Sequence, residues 1–486
     1  MSDTASSRIT NLVFDGLVDI DPDTLEPVPN LAESWTVSDD STVFTFTIKN
    51  GVTFHDGQPL TAADVKFTYD LLMNPDSGTP RAGALNAIVE SVEAPADTTV
   101  VFTLKDVNAG FLVSELSYGI VPKHILGDLN PVDLPTSEFT TTSPIGSGPF
   151  KFQEFRTGEL VTLVANPDYH RGAPALESYI RKFVKDPTAL FQQLKTGEVD
   201  FAAFDPSFYE EAIAQDNFTT FAYNTFSFTF FGYNLDPEKG SPIFQDVKVR
   251  QALFHAIDRP GIIKTVRNGL STLAYGTMPI LSWAYQPDQI TSRYEYDPDK
   301  AGQLLDEAGW VMGADGIREK DGQKLSFTVN AQSGSKIIDG FLAVFQENWK
   351  QIGVEMTPSQ EEFSQFITRL TKTFDFEVFI VGFSWDTDPD QRSMWHSSSY
   401  PSGFNLFKYS NPDVDQAIDD AAKTLDQEQR KELYLQMQNL VLADAPALIT
   451  DFPKTLAGVN TRVKNLIPNE VTITANAHQW YVTDGS

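Results

Sequence analysis

Apolar and polar residues alternate at period two along 43–48 (Val43, Phe44, Thr45, Phe46, Thr47, Ile48), and Asn50-Gly51 follows at once, which predicts a half-buried strand running into a tight turn. The stretch 98–104 repeats the strand signal. Between them, Thr61 followed three residues later by Asp64 reads as a capping box opening a helix with Val65, Phe67, Leu71 and Leu72 at apolar positions. This first region is therefore α+β, and a loop rich in Pro, Thr and Ser at about 130–149 is a candidate boundary. Further on, Asp186-Pro187 places an N-cap before a first-turn proline, Leu190 and Leu194 share a face, and Gly197 stands where a C-terminal cap is expected. The same punctuation recurs at Asp297-Pro298, with Ala301, Leu304, Leu305 and Ala308 as the apolar stripe and Gly309 as the stop. From Asp246 the pattern predicts a helix over 247–268, a strand at 325–331, a helix at 341–352, a strand at 376–381 and helices at 414–425 and 428–442. That alternation argues for an α/β domain. The stretch 454–482, with Val459, Val471, Ile473, Trp480 and Tyr481, returns to β-prone sequence.

Length adds that several cores are expected: 486 residues is about three times the ~150 taken as a soft prior for one domain. Hydrophobic residues make up 41% and charged residues 21%, near the averages of folded proteins. The longest apolar runs, such as 378–383, fall far short of the about 20 residues that cross a bilayer. Thirty-six Lys plus Arg against 66 Asp plus Glu give a formal charge of −30, which repels phosphate backbones and anionic membranes and makes nucleic acid an unexpected partner. With no cysteine, disulfides, thiolate metal sites and cysteine nucleophiles are excluded. The first eleven residues are polar and carry no signal-peptide pattern, which reads as a processed or trimmed chain.

Candidate chemistry is sparse. The six histidines (His55, His124, His170, His255, His396, His478) are scattered with no i,i+4 pair, so neither a metal nor a cofactor is expected. The common hydrolase elbow, phosphate-binding loop and zinc-protease motifs are absent. Asp386, Asp388 and Asp390 begin like a calcium loop, but its sixth position is Gln391 and its twelfth Ser397. Two readings of these aspartates stand level on local chemistry. In one they form a receptor for a cationic group, flanked by Trp385 and Trp395, because a charge pair is strong where water is excluded and the rings add cation–π attraction. In the other they cap the following segment and pair with Arg392. A secreted glycosidase using two of them as acid and base is the rival in a different class.

A series of segments, in order along nearly the whole chain, resembles the peptide-type (dipeptide, oligopeptide and nickel) extracytoplasmic solute-binding proteins of ABC transporters. They are Asn11-Leu-Val-Phe-Asp-Gly-Leu17, Leu31-Ala-Glu-Ser-Trp35, Lys49-Asn-Gly-Val-Thr-Phe-His-Asp-Gly57, Leu60-Thr-Ala-Ala-Asp-Val65, Pro144-Ile-Gly-Ser-Gly-Pro-Phe150, Asn166-Pro-Asp-Tyr169, Leu194-Lys-Thr-Gly-Glu-Val-Asp200, Val249-Arg-Gln-Ala-Leu253 and Ala256-Ile-Asp-Arg259. The resemblance implies an α/β, two-lobed periplasmic-binding-protein-like fold with an extra α+β domain, three domains in all, and a hinge crossed twice. Domain I, the first lobe, would take 1–32, 145–234 and 452–486. Domain II, the extra domain, would take 33–144, and domain III, the second lobe, 235–451. The family also implies a strand upstream of Met1.

The segment Gly382-Phe-Ser-Trp-Asp-Thr-Asp-Pro-Asp390 resembles the family's ligand-facing stretch, in which a carboxylate of some members receives a peptide's α-ammonium group. Asp386 has the matching offset from Gly382, with Asp388 the competing choice and Trp385 beside both. Trp395, Phe404 and Asn405 match a subgroup resembling long-peptide binders. Tyr233 and Asn234 fall near the implied hinge and Trp283 in a segment that often faces the cleft, and each of these three could equally be core. The resemblance thus implies a non-catalytic, monomeric, extracytoplasmic carrier, in the periplasm or held to the outer face of the cell membrane by an upstream lipid anchor. It would bind peptides between its lobes and deliver them to ABC permease subunits. An oligosaccharide is the alternative solute, because tryptophan-rich clefts also stack sugar rings, and nickel is less favoured by the scattered histidines.

Overall fold

The alternation at 43–48 becomes one strand of a four-stranded antiparallel sheet, in the order Ala32–Val37, Val43–Ile48, Thr99–Leu104, Val89–Ala96. The computed structural model describes residues 4–79, 81–401, 403–471, 473–474 and 476–483, and it divides into two compact units, Met1–Tyr223 with Thr455–Ser486, and Asn224–Lys454. This sheet belongs to the first unit and is covered on one face by the helix Ala62–Met73. There the Tyr69 ring meets Phe102 edge-on at 4.8 Å, and its hydroxyl donates to the Glu115 carbonyl at 2.7 Å. The helix starts where the sequence places it, because the Asp64 carboxylate accepts the Thr61 amide at 2.9 Å.

A second antiparallel sheet of the first unit comprises Phe150–Arg156, Leu160–Ala165 and Ser178–Lys182. From it the chain passes through the helix Pro187–Thr196, capped by Asp186 accepting from the Ala189 amide at 2.7 Å, to Phe201–Phe204, which pairs with 456–459. Ser178–Lys182 ends its sheet and Phe201–Phe204 ends its own, so each keeps one free edge among the described residues. A cavity of about 1190 Å³ lies against both strands and is lined also by Arg8, Tyr179 and Trp480.

The second unit is built on one mixed sheet. Its order is 447–451, Ser227–Tyr233, Val378–Ser384, Ser326–Gln332, Glu355–Glu361, with Ser271–Leu273 beside 451–453. Residues 228–233 are buried on both faces, as a central strand requires: Phe228 and Phe230 enter one aromatic cluster, Phe231 and Tyr233 the other. Helices Val247–His255, Arg259–Thr265, Lys336–Gln351, Pro412–Lys423 and Gln427–Asp444 add side chains to those clusters. The last strand, Ala447–Asn460, carries the chain out of this unit.

Three expectations shift. The helix expected over 247–268 is two helices, because Asp258 accepts the Gly261 amide at 2.8 Å and starts a new one with Pro260 in its first turn, where a missing N–H costs nothing. The helix expected at 341–352 begins at Lys336, capped by Ser335. The strand expected at 376–381 runs Val378–Ser384, because its ladder with Ser227–Tyr233 continues to Ser384. The second compact unit begins at Asn224 and the ladder ties 227–233 into it, whereas the sequence division starts the second lobe at 235.

Candidate functional site

Val378–Ser384 has a full antiparallel partner on one side, from Tyr233 opposite Val378 to Ser227 opposite Ser384. On the other side the ladder with Ser326–Gln332 covers only Val329 opposite Val378 and Asn330 opposite Phe379. From Ile380 to Ser384 the strand therefore offers one edge with no ladder partner among the described residues. Gly382 and Ser384 are exposed, and Val381 and Phe383 half-buried. A Cβ at Gly382 would meet nothing nearer than the Phe228 carbonyl at 3.9 Å, and its φ is not in the left-handed region, so packing does not demand a glycine here. What the glycine does provide is access to the backbone edge.

Aromatic rings flank this edge. Phe404, 45% exposed, meets Phe383 at 4.7 Å between centroids, and Trp385 lies 5.6 Å from Phe383 and 6.4 Å from Phe228. Asp386 follows, exposed, with its carboxylate accepting only from the amide and hydroxyl of its neighbour Thr387, at 2.7 and 3.1 Å. Among the described residues it has no basic partner.

Asp388, two residues on, is in the opposite situation. Both its oxygens accept from Arg430, each at 2.8 Å, and both side chains are buried. The guanidinium also donates to the Ala421 carbonyl at 3.1 Å and lies 5.5 and 5.4 Å from the centroids of Trp283 and Tyr434. Burial, the largest influence, opposes the charge of Arg430, and Asp388, Tyr434 and Asp390 together more than offset it, holding the guanidinium above its ordinary pKa. Burial, then the charge of Asp388, push the Asp390 carboxyl up. Trp283 is half-buried against this pair.

The remaining candidates fill the interior of the second unit. Trp395 stacks on Phe407 at 5.5 Å and 9° and donates its Nε1–H to Gln391, which is itself hydrogen-bonded to Thr277. Asn405 donates to the carbonyls of His396 and Tyr409 and accepts the Tyr409 amide. Tyr233 is sandwiched between Phe244 and Phe254. Asn234 donates to the carbonyls of Phe374 and Phe376. Of the ten candidates, then, Gly382, Trp385, Asp386, Phe404 and in part Trp283 reach a surface, while Asp388, Trp395, Asn405, Tyr233 and Asn234 are buried and internally paired.

Arg430 and Phe383 were not singled out from sequence. A signal for Arg430 existed: on the helix Gln427–Asp444 it shares the stripe of Tyr434, Met437 and Val441, and an arginine on an apolar stripe asks for a buried acid. Among the described residues no group of three or more His, Asp and Glu is placed to hold a metal, and no helix is long and apolar enough to cross a membrane.

The chain is similar to known proteins in sequence and in fold. The chain is 36% identical over 455 residues to the oligopeptide-binding protein AppA of Bacillus subtilis, covering 93% of this chain and 83% of that protein. The solved structure of that AppA in complex with a nonapeptide superposes with a TM-score of 0.86 at 34% identity, covering 100% of this chain and 95% of that one. NikZ of Campylobacter jejuni in complex with Ni(L-His) follows at 0.84 and 29%, covering 97% and 94%. Residues 26–405 match the family described as bacterial extracellular solute-binding proteins, family 5 middle, and the chain belongs to that family.

Proposed function

We propose that this protein captures peptides outside the cytoplasm and delivers them to the permease of an ABC importer. The observation that carries the reading is the open strand edge at 380–384 beside an exposed carboxylate, Asp386, that has no basic partner among the described residues. An extended peptide added along such an edge gains main-chain hydrogen bonds that do not depend on its side chains. A free amino terminus supplies the cation that Asp386 lacks, and Trp385 and Phe404 offer rings to the adjoining side chains. The likeness to AppA, which is an oligopeptide-binding protein, supports peptides as the solute class. No bond in the solute need break, and Asp388, held by Arg430, is a poor partner for acid–base work of the glycosidase kind.

Two measurements test this. Mass spectrometry of small molecules released on denaturing the purified protein should find short peptides, whereas one hexose-spaced series would replace the peptide reading with a sugar carrier. Calorimetry with a matched pair of peptides, free and acetylated at the amino terminus, should show Asp386→Asn binding the free peptide about 10- to 100-fold more weakly, the effect of one charge-assisted hydrogen bond. The acetylated peptide should be unaffected, and equal affinity for the free peptide in a folded variant would remove Asp386 from the site.

A further inference from the structure

His55, in the turn that the Thr53–Pro59 bridge closes, is buried and makes its contacts with one short segment of the first unit. Its amide donates to the Gly146 carbonyl at 2.8 Å, its Nδ1 lies 3.2 Å from the Gly146 nitrogen and its Nε2 3.0 Å from the Gly148 carbonyl. Its own carbonyl accepts from Lys151 Nζ at 2.9 Å. A backbone N–H can only donate and a carbonyl can only accept. The ring must therefore accept at Nδ1 and donate at Nε2, which the neutral imidazole does and the imidazolium cannot.

The segment so held is itself a joint. The Gly148 amide donates to the Val13 carbonyl at 2.9 Å, the Ser147 hydroxyl to Asp15 at 3.2 Å and the Asn166 side chain to the Gly148 carbonyl at 3.1 Å. The turn carrying His55 runs on from the four-stranded sheet, and 146–148 leads into Phe150–Arg156 of the three-stranded one. One imidazole thus ties the turn that follows the four-stranded sheet to the segment that leads into the three-stranded one.

We propose that His55 is an acid-sensitive clamp: neutral, it holds its turn to 146–148, and protonated, it releases that joint while the second unit stays folded. A proton on Nδ1 would point at the Gly146 N–H, setting donor against donor in a buried place. The charged groups around it are Lys151, which opposes the proton, and Asp15 and Asp56, which favour it, Asp56 being already engaged by His124 at 2.7 Å. Burial is the largest influence and, with Lys151, outweighs the rest, lowering the His55 pKa to about 4. Because this lies below the unfolded value of about 6.5, the open state binds more protons between the two. The clamp is fully present above about pH 6.5 and is lost as pH falls toward 4.

Hydrogen exchange of the intact protein, corrected for intrinsic rates, tests this between pH 7 and 4.5. Protection at 146–151 should fall about tenfold per pH unit below 6.5 relative to 378–384, the slope of one linked proton. His55→Gln keeps one donor and one acceptor without a titrating group, and should remove that difference while retaining protection at pH 7. A slope unchanged in His55→Gln would overturn the proposal. Should that variant not fold, NMR of the wild-type imidazole decides: a ring neutral down to pH 5 supports the clamp, and one that protonates above pH 6 overturns it.

Discussion

The two units solve the same problem of cohesion by different means. The second buries the central strand of its mixed sheet on both faces: residues 228–233 are wholly interior, and Trp349 packs against Phe327, Phe345 and Phe231 at 5.2, 5.1 and 5.7 Å while donating its Nε1–H to the Leu253 carbonyl. The first unit divides its strands between smaller sheets that bury one face each, as the burial of alternate residues in Val43–Ile48 records. Its joint at 146–148 is polar and close, built on Val13, Asp15, His55 and Asn166. The difference teaches where each unit is fragile: lost volume should break the second, and lost backbone approach or a changed proton should break the first.

The largest effect should come from Trp349→Ala, which removes a fully buried ring and orphans the Leu253 carbonyl. A loss of about 3–5 kcal/mol is expected for such truncations. Denaturant unfolding followed by exchange at 378–384 should show the second unit opening first; a variant losing less than about 1 kcal/mol would mean that the aromatic core is not its main support. Next in size is Gly146→Ala. The new Cβ would sit 1.9 Å from the Val13 carbonyl, so the joint must shift, at a cost of roughly 1–3 kcal/mol typical of overpacking. That loss should appear as exchange at 146–151 with 378–384 unaffected, and a uniform loss over both units would erase the contrast. The smallest effect belongs to Lys66→Ala on the exposed face of Ala62–Met73, where the pair with Asp70 at 2.6 Å is accessible on both sides. About 0.3–0.5 kcal/mol is expected, fading with added salt, and a larger loss would show that the first unit depends on surface charge after all.

Within the second unit, Asp386 and Asp388 repeat the contrast at the scale of two residues. Asp386 is exposed and bonded only to Thr387, and Asp388 is buried and bidentate to Arg430. Under the proposed function a substitution at Asp386 costs affinity, and one at Asp388 costs stability because it leaves Arg430 buried without its partner. Gly382 bears on the same comparison: packing tolerates a side chain there, and under the proposed function the glycine leaves the edge open to a peptide.

The sequence by itself determined what depends on neighbours in the chain. Period-two alternation marked Val43–Ile48, the Asp186 and Asp297 caps opened their helices, and ordered short motifs identified the family, because hydrogen bonds within a few residues and the burial of one face are written locally. Tertiary structure decided which aspartate is free, since the arginine that takes Asp388 stands 42 residues away. It decided that Trp395 stacks on Phe407 and that Tyr233 lies between Phe244 and Phe254, although composition alone left tryptophans and tyrosines open to a binding role. It also decided the open edge at 380–384, because a strand's own residues do not say how far its neighbour extends. Such pairings join residues distant along the chain, and only the packed fold brings them within reach of one another.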